Sequence, residues 1–198
     1  MEKFYLEEPS IHRKEAAISY IHEFYEYNSK VNGTGGLHRY LDDYEGWLKK
    51  LEEDRTRIPD EEKVPARTYF LIRKSDQQII GMINIRLALN KTLREFGGHI
   101  GYSIRPVERG KGYNKVNLYL GLKVCQANGI NQVLMDVDLE NPASWRTMES
   151  LGGVNTREFF DDKNTHGIVK AYEINLDESI RNHALVYEPM IEQGISGE

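Results

Sequence analysis

Gly101-Tyr-Ser-Ile-Arg-Pro-Val-Glu-Arg-Gly-Lys-Gly-Tyr113 decides the fold class of this chain. From His99 to Ile104 the residues alternate as a strand does. A turn rich in glycine and positive charge follows, and a helical pattern runs from about Gly110 to Asn128. The first N–H groups of a helix have no partner inside it and point at whatever stands before it. The macrodipole adds about half a positive charge there, so a phosphate is a natural guest. Gly110 and Gly112 let the backbone approach such a guest, and Arg109 and Lys111 add charge.

Two nucleotide motifs are excluded. A Walker loop spaces its glycines more widely and ends in Lys-Ser/Thr, whereas Tyr113 and Asn114 follow Gly112 here. A dinucleotide fingerprint carries a third glycine, and that position is Lys115.

The run resembles the pyrophosphate loop of the GNAT-type N-acetyltransferases, Arg/Gln-x-x-Gly-x-Gly/Ala. Arg109 and Gly112 match, and Asn114 departs from the third defined position. A second block supports the resemblance. Gln132-Val-Leu-Met-Asp-Val-Asp138 reads as a strand and leads into Asn141-Pro-Ala-Ser-Trp-Arg-Thr-Met-Glu-Ser-Leu-Gly-Gly153. Family members carry Asn-x-x-Ser/Ala here and then a helix closing on Leu-Gly, which Asn141, Ser144, Leu151 and Gly152 match. Asn141 before Pro142 is also a good helix cap, so it either caps only or caps and touches ligand. Gly152 has a purely structural reading as the left-handed residue ending that helix.

The resemblance implies a GNAT acyltransferase fold: α/β, a central mixed twisted sheet flanked by helices, spanning residues 1–176 as one domain. The strands before the two motifs should lie side by side, parallel, and splay at their ends, inside a sheet that also holds Thr68–Lys74 and Ile79–Leu87. The co-substrate would be acetyl coenzyme A. Its pyrophosphate would rest on the N–H groups of Arg109, Gly110, Lys111, Gly112, Tyr113 and Asn114. Its arm would bond the main chain at Ser103 and Ile104, with Asn141 near its amides. The acceptor would be a primary amine of a small molecule or peptide. A non-catalytic acyl-coenzyme A sensor or assembly module is the rival reading.

The chemistry this implies is direct attack of the amine on a thioester. An ammonium cannot attack, so a base or a water chain must take a proton. The place where some members carry a carboxylate base is Gly98. Alternation puts His99, Gly101 and Ser103 on a small polar face, and Ile100, Tyr102 and Ile104 on an apolar one. His99 is the first candidate base and Glu95 the second. Where members often carry a Tyr acid this chain has Met148, and Ser144 is the alternative donor.

Length and composition fit one globular domain with a sizeable core: 198 residues, 39% hydrophobic and 10% aromatic. A net charge of −5 argues against general nucleic-acid binding. Cys125, the single cysteine, cannot form a disulfide framework and reads as packing in the long helix. No apolar run is long enough to span a bilayer, and no pair of histidines has metal-ligand spacing. The expected setting is cytoplasmic, without membrane or nucleic-acid partners, with a homodimer allowed.

Along the chain, Phe4 to Leu6 reads as a strand and Ser10 as the cap of a helix bearing Ala17, Ile21 and Phe24. Asn32-Gly-Thr-Gly-Gly36 breaks that helix, and its glycines either only turn the chain or cradle phosphate or flank a substrate mouth. Leu41, Tyr44, Trp47, Leu48 and Leu51 mark a second helix. Val154–Phe160 and Ile168–Leu176 form a hairpin around Asp161–Asn164. Asp177–Glu198 is a tail, a short helix or an arm for a partner subunit.

Overall fold

The computed structural model describes residues 1–162 and 165–192. Strand β1 (Phe4–Glu7) precedes helices α1 (Lys14–Glu26) and α2 (Tyr44–Arg55). The hairpin β2 (Ala66–Arg73) and β3 (Ile79–Arg86) follows, then the short α3 (Lys91–Glu95) and β4 (Ile100–Ile104). The second half runs α4 (Tyr113–Ala127), β5 (Gln132–Asp138), α5 (Pro142–Glu149), β6 (Val154–Asp161), β7 (Gly167–Asn175) and α6 (Leu176–Tyr187). Strand β5 has the predicted bounds. Ser10 precedes a 3-10 turn at Ile11–Arg13 and its side chain makes no capping hydrogen bond. Part of the expected hairpin turn, residues 163 and 164, lies outside the described residues, as do residues 193–198.

The elements are those of an α/β fold, but the single mixed sheet is corrected to two antiparallel ones. One has the order β1-β2-β3-β4 and the other β5-β7-β6. Strands β4 and β5 form no parallel ladder. They meet just ahead of β4, where the His99 N–H donates to the Leu134 carbonyl at 2.7 Å. The Leu134 N–H donates in turn to His99 Nδ1 at 3.0 Å. A single bridge of antiparallel type, Gly98 to Met135, completes the junction. Gly97 and Gly98, with φ of 102° and 62°, bend the chain so sharply that a side chain replaces the next main-chain partner. Beyond that junction the strands part.

Two cores hold this arrangement. Leu118, Leu122 and Cys125 of α4 pack with Ile83, Ile85, Val133, Met135 and Tyr172. Cys125 is fully buried there, consistent with a packing role. On the opposite face of the first sheet, Tyr20, Ile21 and Phe24 of α1 and Trp47 of α2 pack on Phe70 and Ile72. Helix α6 covers α4: Tyr187 meets Tyr119 with ring centroids 5.1 Å apart, and Glu188 pairs with Lys123 at 2.6 Å. The chain then returns to β1, where the Glu192 N–H donates to the Phe4 carbonyl at 2.8 Å. Of the three readings of this segment, a helix forms.

Candidate active site

The turn between β4 and α4 presents an unpaired row of donors. Among the described residues, the N–H groups of Gly110, Lys111, Gly112, Tyr113 and Asn114 have no hydrogen-bond acceptor. Gly110 and Gly112 have φ of 77° and 81°, a region L side chains avoid, and a Cβ on either would meet nothing within 4 Å. These two residues aim the amides outward into open space. The side chains beside them serve the turn itself. Arg109 donates to the Ile104 carbonyl at 3.2 Å and to Ser29 Oγ at 2.8 Å, with its guanidinium over the Phe24 ring. Lys111 is held by Glu108 at 2.7 Å, and Glu108 also pairs with Arg73 at 3.1 Å.

The donors open onto a cleft of about 1010 Å³ that runs between β4 and β5. Register decides what its walls offer. On β4, the flanking bonds from the Arg86 N–H to the His99 carbonyl and from the Arg105 N–H to the Ile80 carbonyl fix the alternation. Alternate residues of an antiparallel ladder bond to the partner strand. Gly101 and Ser103 therefore direct their main chain at β3, while Ile100, Tyr102 and Ile104 direct theirs into the cleft. On β5, the bonds from the Leu139 N–H to the Ile168 carbonyl and from the Leu176 N–H to the Asn131 carbonyl assign Val133, Met135 and Val137 to β7. Leu134, Asp136 and Asp138 face β4 instead. His99 uses up Leu134, Arg109 takes the Ile104 carbonyl and the Asn141 N–H takes the Asp138 carbonyl. Main-chain groups of Tyr102 and Asp136 remain, on two bare edges that an amide-bearing arm can pair with as an added strand would.

A family model described as an acetyltransferase (GNAT) domain matches residues 13–154. The chain belongs to the GNAT acetyltransferase family. A search of curated proteins returns no match. Among solved structures, the fold is similar to Mycobacterium smegmatis RimJ in complex with CoA-disulfide, at a TM-score of 0.70 and 13% identity, covering 92% of this chain and 88% of that one. It is similar to a ribosomal-protein-S5-alanine acetyltransferase from Vibrio fischeri, at 0.68 and 15%, covering 90% and 96%. It is also similar to mutant forms of the spermidine/spermine N-acetyltransferase SpeG from Vibrio cholerae, at 0.64 and 14%, covering 91% and 98%. At these identities the structural likeness speaks for the fold.

In this acetyltransferase, Ser103, Ile104, Arg109, Gly110, Gly112, Tyr113, Asn114, Asn141 and Ser144 all line the cleft. Lys111 does not, because Glu108 holds it. Ser103 offers little: its main chain is spent on β3, and its hydroxyl bonds Tyr20 at 3.0 Å and the Asn32 carbonyl at 2.6 Å. On β4 it is the main chain of Tyr102, not that of Ser103, that faces the cleft. Asn141 caps α5 by accepting from the Ser144 N–H at 3.3 Å.

The two base candidates fall outside the cleft. His99 is 8% exposed; its imidazole and its main-chain N–H both bond Leu134, and its carbonyl accepts from the Arg86 N–H. Burial, with Arg94 and Arg86 nearby, pulls its pKa down to about 4. Its Nδ1 is committed as an acceptor from the Leu134 N–H, which ties the imidazole into the seam between the sheets. Glu95 is exposed on α3, and its carbonyl accepts from Arg157 at 2.7 Å. Ser144 is in place, 9% exposed, and Met148 borders the cleft as expected. Sequence reasoning missed two cleft residues. The Tyr102 hydroxyl crosses from β4 to α5 and bonds Ser144 Oγ at 2.9 Å, and burial pushes its pKa up to about 12. Asp136, opposite it on β5, accepts from the Gly97 N–H at 2.7 Å. The alternation of β5 puts Asp136 on the polar face of its strand; only the second sheet's placement brings the free edge of that strand to β4.

The loop after α1 closes the mouth. Gly33 sits so tightly on β4 that a Cβ there would lie 2.4 Å from Tyr102 Cα. Lys30 reaches across to Asp138 at 3.6 Å. Among the described residues there is no group of metal-ligating side chains and no helix long and apolar enough to cross a membrane.

Proposed function

We propose that this acetyltransferase moves an acetyl group from acetyl coenzyme A to a primary amine of a small molecule or peptide by direct attack. The observation that carries this reading is the row of unpaired N–H groups at Gly110–Asn114 opening onto two bare strand edges. A pyrophosphate suits the first and an amide-bearing arm the second. When bound, the coenzyme supplies an activated thioester with a thiolate leaving group.

The chain's own residues then divide the task. Gly110 to Asn114 hold the phosphates through main-chain donors. Tyr102 on β4 and Asp136 on β5 offer main-chain partners to the arm, which fixes the thioester between the strands. The Tyr102 and Ser144 hydroxyls, 2.9 Å apart, are the donors facing the departing sulfur, in the absence of a tyrosine at Met148. The loop at Lys30–Gly33 narrows access and keeps bulk water from the reacting carbon. An amine as acceptor accords with the substrates after which the structural neighbours are named, a polyamine in one case and a protein alanine in another.

The test is release of coenzyme A thiol from acetyl coenzyme A over a panel holding spermidine, an alanine-terminated peptide and simple alkylamines. Amine-dependent release is the expected result. Tight binding of acetyl coenzyme A without release by any amine would favour the coenzyme-binding module instead.

A further inference from the structure

The cleft has two ends, and the proposed coenzyme site accounts for one. The donors at Gly110–Asn114 follow the C-terminal end of β4. Its other end is the junction where His99 staples Leu134, roughly 16 Å from Ile104 at ~3.3 Å per residue. The first β5 residue past that staple whose main chain faces the gap is Asp136.

Its carboxylate is unusual among the charges of this cleft. Oδ2 is anchored by the Gly97 N–H at 2.7 Å. Oδ1 has no partner among the described residues, and it is not one of the buried atoms left without a hydrogen bond, so it reaches the open cleft. The charged groups facing it are Arg86 from β3 and Arg157 and Asp161 from β6, and neither arginine forms a salt bridge with it. Asp138, the other β5 carboxylate on this edge, is paired with Lys30. Gly97, Phe96 and Phe159 line the cleft around Asp136. The anchor fixes the carboxylate's position and leaves one oxygen for a proton.

We propose that Asp136 is the catalytic base of the transfer, an inference that rests on the acetyltransferase reading above. Oδ1 takes a proton from the incoming ammonium as its N–H bond breaks. The freed lone pair forms the C–N bond and the C–S bond breaks. Of the two protons the nitrogen loses, one passes from Asp136 to solvent and the other ends on the departing thiol. Burial raises the pKa of this carboxyl, which brings it nearer to a working base.

Asp136→Asn separates a base from a prop, because the carboxamide oxygen still accepts from the Gly97 N–H. The assay uses acetyl coenzyme A with two nucleophiles: a simple alkylamine, protonated near neutral pH, and hydroxylamine, which is not. With the alkylamine, kcat/KM is expected to fall on the order of 10²-fold or more and to lose its lower pH limb. With hydroxylamine the fall is expected to be far smaller. A readout apart from turnover is the melting temperature. A charge that burial disfavours costs the wild type stability as pH rises through the raised pKa, so the variant should be as stable at acid pH and more stable at neutral pH. Equal rates for wild type and variant on the alkylamine would overturn the assignment. So would an equal fall on both nucleophiles with a lower melting temperature, which makes Asp136 a structural residue. Absence of transfer by the wild type to either nucleophile would overturn the acetyltransfer reading itself, and this assignment with it.

Discussion

The imidazole of His99 accepts from the Leu134 N–H while its own main-chain N–H donates to the Leu134 carbonyl. One residue thus occupies both polar groups of its opposite number and ends the contact between the two sheets. Its depressed pKa gives the stability a definite pH dependence. A group whose folded pKa lies below its unfolded value contributes stability that is present above the unfolded pKa and lost as pH falls through the folded one. Wild-type melting temperature is therefore expected to drop between about pH 6.5 and about pH 4, and His99→Leu to lose part of that dependence. The substitution should also cost about 1–3 kcal/mol at neutral pH, by leaving the Leu134 N–H without its acceptor. Urea unfolding across a pH series reads both. The pH profile of acetyl transfer should keep its shape in this variant. In the sequence His99 passes for a base because it is polar and near the motif; its two bonds to Leu134 depend on residues remote in the chain, which no local pattern reports.

At the scale of elements, the glycine turn and the loop after α1 set the two sides of the cleft. Gly112 is left-handed with no protein atom within 4 Å of where a Cβ would stand. Gly112→Val therefore strains the turn by about 1–2 kcal/mol and places a branched side chain where the phosphates would lie. Acetyl coenzyme A affinity, measured by calorimetry, is expected to weaken by about tenfold or more, equivalent to ~1.4 kcal/mol. Gly33→Ala acts on the other side. Its methyl would press on the Tyr102 backbone, 2.4 Å away, and lift the loop from β4. KM for the amine should rise several-fold while affinity for acetyl coenzyme A changes little; the reverse pattern would place this loop at the coenzyme. Both glycines stand out in the sequence, but only Gly112 sits in a pattern with a physical meaning of its own. Gly33 reads equally well as a helix breaker until β4 is placed beneath it.

For the whole molecule, the C-terminal helix closes the fold over α4. Tyr187 is 8% exposed and stacks near Tyr119, so Tyr187→Ala should cost about 3 kcal/mol in urea unfolding. The sequence alone determined most of the elements and their order, because hydrophobic period, glycine turns and caps are local: β5 has its predicted bounds, and α4 and α5 start within a few residues of theirs, while α3 went unread and α6 was one of three readings. It also determined the turn of outward-facing amides, since left-handed glycines before a helix present N–H groups whatever the rest of the chain does. The expectation that β4 and β5 must share one sheet was too strict. Strands that splay from a single junction fall into separate ladders, and the separation is what leaves the cleft its bare edges. Tertiary structure decided which main-chain groups those edges expose, which carboxylate they bring to the cleft and which hydroxyl crosses it. Tyr102 rather than Ser103 turns its main chain to the cleft, and Asp136 rather than His99 lines it, because strand register and the angle between sheets are fixed by contacts between segments far apart in the chain, and side-chain alternation names two faces without saying which one the site will use.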